Sequence, residues 1–535
     1  MILDIKKLNI LKVKIFCLIG IILLFFACIF IKLIILIFLE KNPDQVLFSQ
    51  KNFFSGDKRV NIFDRNHHLI ATNGVMFSIF AKPTKIENPV LIATKLSKIL
   101  LKENFETIYD KLNSQKDFVW IKKDISNTEK EMFLNSGGAF GVYLEESEKR
   151  IYPYNNLLSH VLGFVGTDMK GLSFIERYID ENELKEDLTL SIDLRLQIIL
   201  YQEIERAFLD FNAKSATGII ADPNTGEILA LVNKPDFNPN ILKTLSPNNL
   251  FNTATQGNIE IGSCMKSLTF AIAFDTQTIS NKNKYDINRF KIGRHVIQDH
   301  KDMGGVRDVS FIFKNSSNIG TTKIAFDVGK ENFFDYLEKF GLLKKLDIEI
   351  LEKSAPTFRK LSDCKDINLA TMSYGYGITY SPMHLINAYI PIINGGISHN
   401  VTFLKNKSNI GKNILTNETS KKMKELLGLS VLEGTSGKAK ISGYSIGGKT
   451  GTAYKNFDGK YDSKKKISSF IGMMPLEKPK YLLFVSLNEP KANKNNNFIS
   501  SSSFTAAPLA KKIFEKIIIL DAIDSKEKCD LYKKK

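Results

Sequence analysis

The sequence predicts an α+β protein: an antiparallel sheet flanked by helices, preceded by a mixed α/β region and one N-terminal transmembrane helix. Three observations predict it. An uncharged apolar run covers residues 15–31 behind a basic start. Strand-like runs pair at residues 216–221 and 227–232, return at 470–473 and 481–487, and have helical patterns between them. A strand pair early and strands late, with helices between, suit an antiparallel sheet with helical cover. The 535 residues are enough for two or three domains with cores of their own.

The N-terminus sets the topology. Lys6, Lys7, Lys12 and Lys14 stand against Asp4 before the apolar run, and Lys32 interrupts it before residues 33–39 resume it. The run is long enough to cross the hydrocarbon as a helix, with Lys32 snorkelling. Basic residues ahead of the span put the bulk of the chain outside the cytoplasm. A cleaved signal peptide is the alternative, but Ala27-Cys28 is followed by more apolar sequence rather than polar sequence. The expected division is a cytoplasmic tail 1–14, an anchor 15–39, a mixed α/β pedestal 40–185, a larger domain 186–520 and a charged tail 521–535.

Within 40–185, residues 60–63 and 77–80 alternate as strands, and 91–101 and 105–112 read as helices. A strand-like run at 188–192 opens the larger domain. Residues 194–211 follow as a helix, with Leu196, Ile199, Leu200, Ile204, Ala207 and Phe208 on one face. Asp222-Pro223-Asn224-Thr225-Gly226 is a turn between two strands. An apolar helix at 506–520 closes the domain.

Composition excludes several classes. Apolar residues are 43% and charged residues 24%, a globular balance rather than a disordered one. Five cysteines do not make a disulfide framework. Cys17 and Cys28 lie in the apolar stretch, while Cys264, Cys364 and Cys529 stand apart. The scattered histidines show no metal-ligand spacing, so no metal site is expected. The net charge of +17 suits an anionic partner, but lysine is spread along the chain without a nucleic-acid-binding signature, so no nucleic acid is expected.

Three short motifs carry chemistry. Ser263-Cys264-Met265-Lys266 places a lysine one helical turn from a serine, where it can serve as the base a serine nucleophile needs. The same spacing occurs at Ser55, Ser362, Ser463 and Ser525. Ser263 is set apart by Gly262 before it and by the apolar helix of Leu268, Ala271, Ile272 and Phe274 after it. A helix N-terminus there favours negative charge on the serine oxygen. Ser316-Ser317-Asn318 offers a second hydroxyl for proton relay and an amide to hold a carbonyl; a helix cap is its ordinary reading. Lys449-Thr450-Gly451-Thr452 offers a cation, a glycine that admits close approach, and backbone N–H groups for an oxyanion. The stretch ending in Gly448-Lys449-Thr450 also matches a phosphate-binding loop, but that loop needs a buried strand before it and a helix after it. Here the flanking residues are polar and turn-like.

The three motifs in this order resemble those of a class B penicillin-binding protein, specifically the division-type (FtsI-like) peptidoglycan D,D-transpeptidase. The resemblance spans nearly the whole chain. It includes Asp64-Arg65-Asn66, Arg150-Ile151-Tyr152-Pro153 with His160 and Gly163, Leu190-Ser191-Ile192-Asp193 and Gly226-Glu227-Ile228-Leu229-Ala230. Ser373-Tyr374-Gly375-Tyr376-Gly377 with Pro382, the Thr450 of Lys449-Thr450-Gly451, Phe470 to Pro475 and Asn488-Glu489-Pro490 resemble the division branch. Three departures stand out: Ile261 where the family has proline, Arg59-Val60 where it has Arg-Gly, and Ser500 to Ser503 where it has Gly-Gly.

The resemblance implies a dimerisation-type pedestal and a penicillin-binding transpeptidase domain of serine β-lactamase-like fold. It implies that Ser263 attacks the penultimate D-Ala carbonyl of a peptidoglycan stem peptide on a lipid II-derived glycan, with Lys266 as base. Ser316 and Lys449 relay a proton and Asn318 orients the acyl chain. The N–H groups of Ser263 and Thr452 form the oxyanion hole, Thr450 and Thr452 hold the substrate carboxylate beside Gly451, and Tyr376 walls the cleft. β-Lactams would trap Ser263, and no metal or cofactor is implied. The implied partners are a SEDS-family glycan polymerase and other division proteins, and the implied location is the cytoplasmic (inner) membrane, single-pass, with the catalytic domain on the outer side. An elongation-type transpeptidase, a D,D-carboxypeptidase or β-lactamase-like hydrolase, and a non-catalytic scaffold or β-lactam sensor are the alternatives.

Overall fold

The computed structural model describes residues 18–20, 22–32, 59–407, 410–457, 460–494 and 499–523. Residues 18–20 and 22–32 are helical and exposed, Leu23, Phe25, Phe26 and Phe30 by 64–66%. The rest of the expected anchor, the tail before it, residues 40–58, Cys17, and the C-terminal stretch with Cys529 lie outside the described residues. Among the described residues no helix is long and apolar enough to cross a membrane.

The chain forms two compact units: Gly74–Lys149 with the N-terminal residues to 57, and Lys58–Asn73 with Arg150–Lys535. In the first, helices Pro89–Ile99, Phe105–Leu112 and Asn127–Asn135 accompany strand Val119–Ile125. Ile79, Leu96, Ile108, Ile121, Phe133 and Leu144 form its core. Asn88, Asn104 and Ser126 cap the three helices, Ser126 with Glu129 in a reciprocal capping box.

The second unit is built on one five-stranded antiparallel sheet. Helix α1 (Leu194–Asp210) leads into β1 (Ser215–Ala221) and β2 (Ile228–Lys234). Helices α2 (Lys266–Asp275), α3 (Asn318–Val328), α4 (Pro382–Ile393) and α5 (Asn417–Glu433) follow. Strands β3 (Gly447–Phe457), β4 (Lys460–Met474) and β5 (Tyr481–Asn488) and helix α6 (Ala506–Leu520) complete it. The strand order is β3-β4-β5-β1-β2, which makes β3 an edge strand.

Side chains alternate across this sheet as pleating demands. Ile219, Ala221, Ile471, Met473, Leu482 and Phe484 join the core that holds α2, α4 and α5. Ile220, Phe470, Met474, Leu483 and Val485 join the core beneath α1 and α6. Both faces are covered, so β1, β2 and β5 read as nearly continuous apolar runs. The glycine of β1 marks the closest approach of α1: a Cβ on Gly218 would stand 2.7 Å from Leu200 and 2.9 Å from Ile204.

Residues 105–112 and 506–520 are helices with the bounds the sequence suggests, and the helix expected at 91–101 runs Pro89–Ile99. The β3–β4 hairpin differs from expectation. Gly451, Asp458, Gly459 and Asp462 read as turn-like, yet β3 extends to Phe457 and β4 begins at Lys460; Asp458 and Gly459 lie outside the described residues. Cross-strand pairing over the whole length overrides the weak β-propensity of its polar tip.

The second unit also takes in residues 59–73 and 150–185, which the sequence pattern groups with the pedestal. An ion cluster explains it. Glu176, with no exposed side-chain surface, receives Arg59 Nε at 2.6 Å and Arg150 Nε at 2.8 Å, and Arg59 also meets Asp180 at 2.5 Å. Arg150 donates to the Val60 carbonyl as well, tying the segment from residue 59 to helix Phe174–Glu181. Removing the shared carboxylate leaves the buried Arg150 guanidinium without an ionic partner and Arg59 with Asp180 alone. Glu176→Ala should therefore cost about 3–5 kcal/mol, seen as a lower midpoint in chemical denaturation followed by a probe in the second unit. An unchanged midpoint would mean the cluster is not a structural tie.

Candidate active site

Ser263 lies in a one-turn 3₁₀ segment, Gly262–Met265, that runs directly into α2. Gly262 is at φ +54, and its N–H donates to the Gly375 carbonyl at 3.2 Å. A Cβ on Gly375 would fall 2.0 Å from the Gly262 carbonyl oxygen. The turn is thus clamped to the Ser373–Gly377 loop, with glycine required on both sides. Tyr389 on α4 donates to the Cys264 carbonyl at 2.7 Å and fixes the turn from beneath. Every residue of α2 from Lys266 to Phe274 is buried, so the helix is enclosed on all sides rather than amphipathic. Ser263 itself is half-buried.

Lys266, fully buried, points toward the Ser-x-Asn motif. Its Nζ donates to the Ser316 carbonyl at 2.5 Å, to Asn318 Oδ1 at 2.7 Å and to Ser316 Oγ at 3.1 Å. No hydrogen bond joins it to Ser263 among the described residues; three acceptors on one side of the amine outnumber the single hydroxyl on the other. Ser316 adopts φ +60 in the break between helix Val309–Lys314 and α3. Ser317 caps α3, donating its hydroxyl to Asp299 at 2.7 Å and accepting from Gly320 N–H at 3.0 Å. The middle residue makes the cap while Ser316 and Asn318 face the lysine, so the structural and chemical readings of the motif both hold.

Lys449 approaches Ser316 from the edge strand. Its Nζ, also fully buried, donates to Ser316 Oγ at 3.1 Å. Burial pulls the Lys449 amine down to about 8. The Lys266 amine is lowered well below the usual lysine range, first by burial and then by the Lys449 charge; Asp299 opposes the shift. The structure thus brings the three motifs together around one hydroxyl.

Gly451 does more than admit a ligand. A Cβ there would stand 2.4 Å from the Ile261 carbonyl oxygen and 2.7 Å from Cys264 Sγ. The glycine lets the edge strand lie on the nucleophile turn. Cys264 is fully buried, donates to the Lys449 carbonyl at 3.6 Å, and has a thiol pushed up to about 12 by burial, so it is inert packing. Thr450 is buried, with Oγ1 on Thr435 at 3.2 Å and N–H on Ser436 Oγ at 3.2 Å. Thr452 Oγ1 pairs with Ser502 Oγ at 2.8 Å and accepts the Ser502 N–H at 3.1 Å. Tyr376 is half-buried, and its hydroxyl accepts from Tyr454 N–H at 3.2 Å.

Sequence reasoning missed the residues that hold the motifs in place. Asp299 Oδ1 accepts from the N–H groups of Asn318 at 2.5 Å and Ile319 at 3.1 Å. Thr435, Ser436 and Ser502 hold the two threonines. None of these stands in a motif, and only the tertiary fold brings them near. The Ser500–Ser503 departure acquires a role here, since Ser502 grips Thr452. The phosphate-loop match fails on context: a 3₁₀ turn, Gly437–Ala439, precedes it and a strand follows.

Comparison with known proteins finds two family matches. Residues 216–515 match the penicillin binding protein transpeptidase domain and residues 56–191 the penicillin-binding protein dimerisation domain. The chain is similar to "Probable peptidoglycan D,D-transpeptidase FtsI" of Caulobacter vibrioides, 30% identical over 478 residues, covering 86% of this chain and 80% of that protein. It is similar to "Peptidoglycan D,D-transpeptidase FtsI" of Buchnera aphidicola, 29% identical over 511 residues, 86% of this chain and 87% of that protein. "Stage V sporulation protein D" of Bacillus subtilis is 28% identical over 505 residues, 85% of this chain and 77% of that protein.

The contact between edge strand and nucleophile turn is testable without substrate. Gly451→Val should destabilise the protein by about 1–3 kcal/mol through overpacking, measured by thermal melting. A variant as stable as the wild type would show that the two backbones are not pressed together.

Proposed function

The chain belongs to the penicillin-binding protein transpeptidase family and is a division-type peptidoglycan D,D-transpeptidase; on that premise we propose that it cross-links stem peptides through an ester on Ser263. The observation that carries the mechanism is the shared hydroxyl of Ser316 between two buried lysine amines. A neutral Lys266 has two N–H bonds, which the Ser316 carbonyl and Asn318 Oδ1 take up. Its lone pair is left for a hydroxyl proton. Lys266 removes the Ser263 proton, and Ser263 Oγ attacks the penultimate D-Ala carbonyl. The C–N bond to the terminal D-Ala breaks, and its nitrogen receives the proton passed through Ser316 and Lys449. In the second half-reaction a stem-peptide amine attacks the ester carbonyl. A new C–N bond forms, the C–Oγ bond breaks and the amine proton returns to Ser263.

The N–H groups of Ser263 and Thr452 are the proposed oxyanion donors, at the start of a helix and on an edge strand respectively. Thr450 and Thr452 bind the substrate carboxylate; the former is already committed to Thr435 and Ser436, so its part includes holding the strand. Asn318 orients the acyl chain and Tyr376 walls the cleft. The proposed organisation is a membrane anchor at 15–39, a pedestal at 40–185 and a transpeptidase domain at 186–520, with the catalytic side outside the cytoplasm. The exposed rings of Phe25, Phe26 and Phe30 support the anchor. The proposed partners are a SEDS-family polymerase and other division proteins, and β-lactams are the proposed inhibitors.

Full-length protein in detergent, incubated with a fluorescent penicillin and followed by gel and intact mass over hours, tests this reading. A stable adduct on the wild type and none on Ser263→Ala is expected; rapid turnover of the label would indicate a hydrolase instead. Lys266→Ala should acylate slower by about 10³-fold or more, because nucleophile and base act as one unit. Acylation at the wild-type rate in that variant would remove Lys266 from the role of base.

A further inference from the structure

Glu260 lies three residues before the nucleophile and is half-buried. Its Oε1 accepts from Gly377 N–H at 2.7 Å and from Tyr461 O–H at 3.0 Å. Its Oε2 has no hydrogen-bond partner, and no cation pairs with the group, among the described residues. Burial alone raises its pKa, with no positive side chain counteracting it. An unpaired carboxylate beside a cleft is notable in a chain of net charge +17.

Aromatic rings surround it. The Tyr376 and Tyr461 rings meet edge to face at 5.2 Å, and the Tyr374 and Tyr376 rings at 6.0 Å. The Tyr376 hydroxyl holds Tyr454 N–H on β3. The same strand carries Lys449, which touches Ser316, then Thr452, then Tyr454, so the aromatic group lies along the strand past Thr452. Two residues of strand span about 7 Å, within reach of an extended aminoalkyl side chain on a peptide whose carbonyl lies at Ser263. A carboxylate with a free oxygen, beside tyrosine rings and hydroxyls, is chemistry that recognises an ammonium ion.

We propose that Glu260, Tyr376 and Tyr461 form a recognition site for the primary ammonium of a stem peptide. The proposal rests on the transpeptidase reading. Cross-linking consumes an amine on one stem and a D-Ala carbonyl on another, and both stems are units of the same polymer. The donor therefore carries the same amine as the acceptor. The shared chemistry is a stem-borne primary ammonium, and experiment separates the two sources.

Glu260→Gln is the informative variant. It keeps an oxygen for Gly377 and Tyr461 and removes the charge. The full-length protein is given a synthetic pentapeptide ending in D-Ala-D-Ala with lysine third, or its twin with that amine acetylated, each with the same saturating D-amino acid as acceptor, and D-Ala release is followed. If the donor amine is bound, the wild type prefers the lysine peptide by about tenfold in kcat/KM and Glu260→Gln loses that preference. If the acceptor amine is bound, the twins react alike, and Glu260→Gln instead raises KM for a lysine peptide added as acceptor by about tenfold. Labelling by a fluorescent penicillin without an amine stays at the wild-type rate in either case. A Glu260→Gln variant unchanged in both arms overturns the proposal. So does one whose penicillin labelling falls in parallel, because Glu260 would then only position the turn. A wild type that takes no label on Ser263 would instead refute the acyl-serine reading itself.

Discussion

Two lysines, each with no measurable exposure, stand within hydrogen-bond distance of one serine oxygen. Lys266 and Lys449 both stand 3.1 Å from Ser316 Oγ, so no more than about 6 Å separates their amines. Two full charges at that distance repel by about 3 kcal/mol at an effective dielectric near 20, and each also loses hydration on burial. No carboxylate touches either amine among the described residues; Asp299 acts on Lys266 only through its field. Both effects lower the Lys266 amine well below the usual lysine range and so favour its neutral form. A neutral buried lysine is a base, and the rest of the unit is arranged to create one.

The fold holds this arrangement from three sides. The nucleophile turn is pinned by Tyr389 from below and by Gly375 at its side. The Ser-x-Asn break is pinned by Asp299, which satisfies two N–H groups and the Ser317 hydroxyl. The edge strand is pressed onto the turn at Gly451 and tethered through Thr435, Ser436 and Ser502. Edge position matters, because an edge strand has one row of backbone groups unclaimed by the sheet. A central strand could offer none to a substrate.

Much of this was legible in the sequence, and unevenly so. The three motifs stand out because serine, lysine, asparagine and glycine appear at spacings set by a helix turn, a helix cap and a strand. The helix 506–520 and the strands of the central sheet were readable because burial on one or both faces leaves a strong apolar pattern. The β3–β4 hairpin was not, since its tip is polar and its pairing is cross-strand rather than local. Asp299, Thr435 and Ser502 left no local signal, because each supports its neighbour from far along the chain. Arg150 was visible as part of a family pattern, but its partnership with Glu176 and Arg59 exists only in three dimensions. Lys266 was expected to face Ser263; its contacts instead lie on the Ser316 side, where three oxygens satisfy it.

The central claim is that burial and the neighbouring Lys449 charge hold the Lys266 amine well below the ordinary lysine range, which favours the base form. Titrating the lysine side chains of the isotope-labelled full-length protein by NMR, with Lys266→Met to assign the signal, measures it directly. The account predicts that Lys266 titrates well below the ordinary lysine value and moves upward in Lys449→Met, where the opposing charge is gone. A Lys266 amine that titrates near 10.5 in the wild type, or that is indifferent to Lys449, would contradict it.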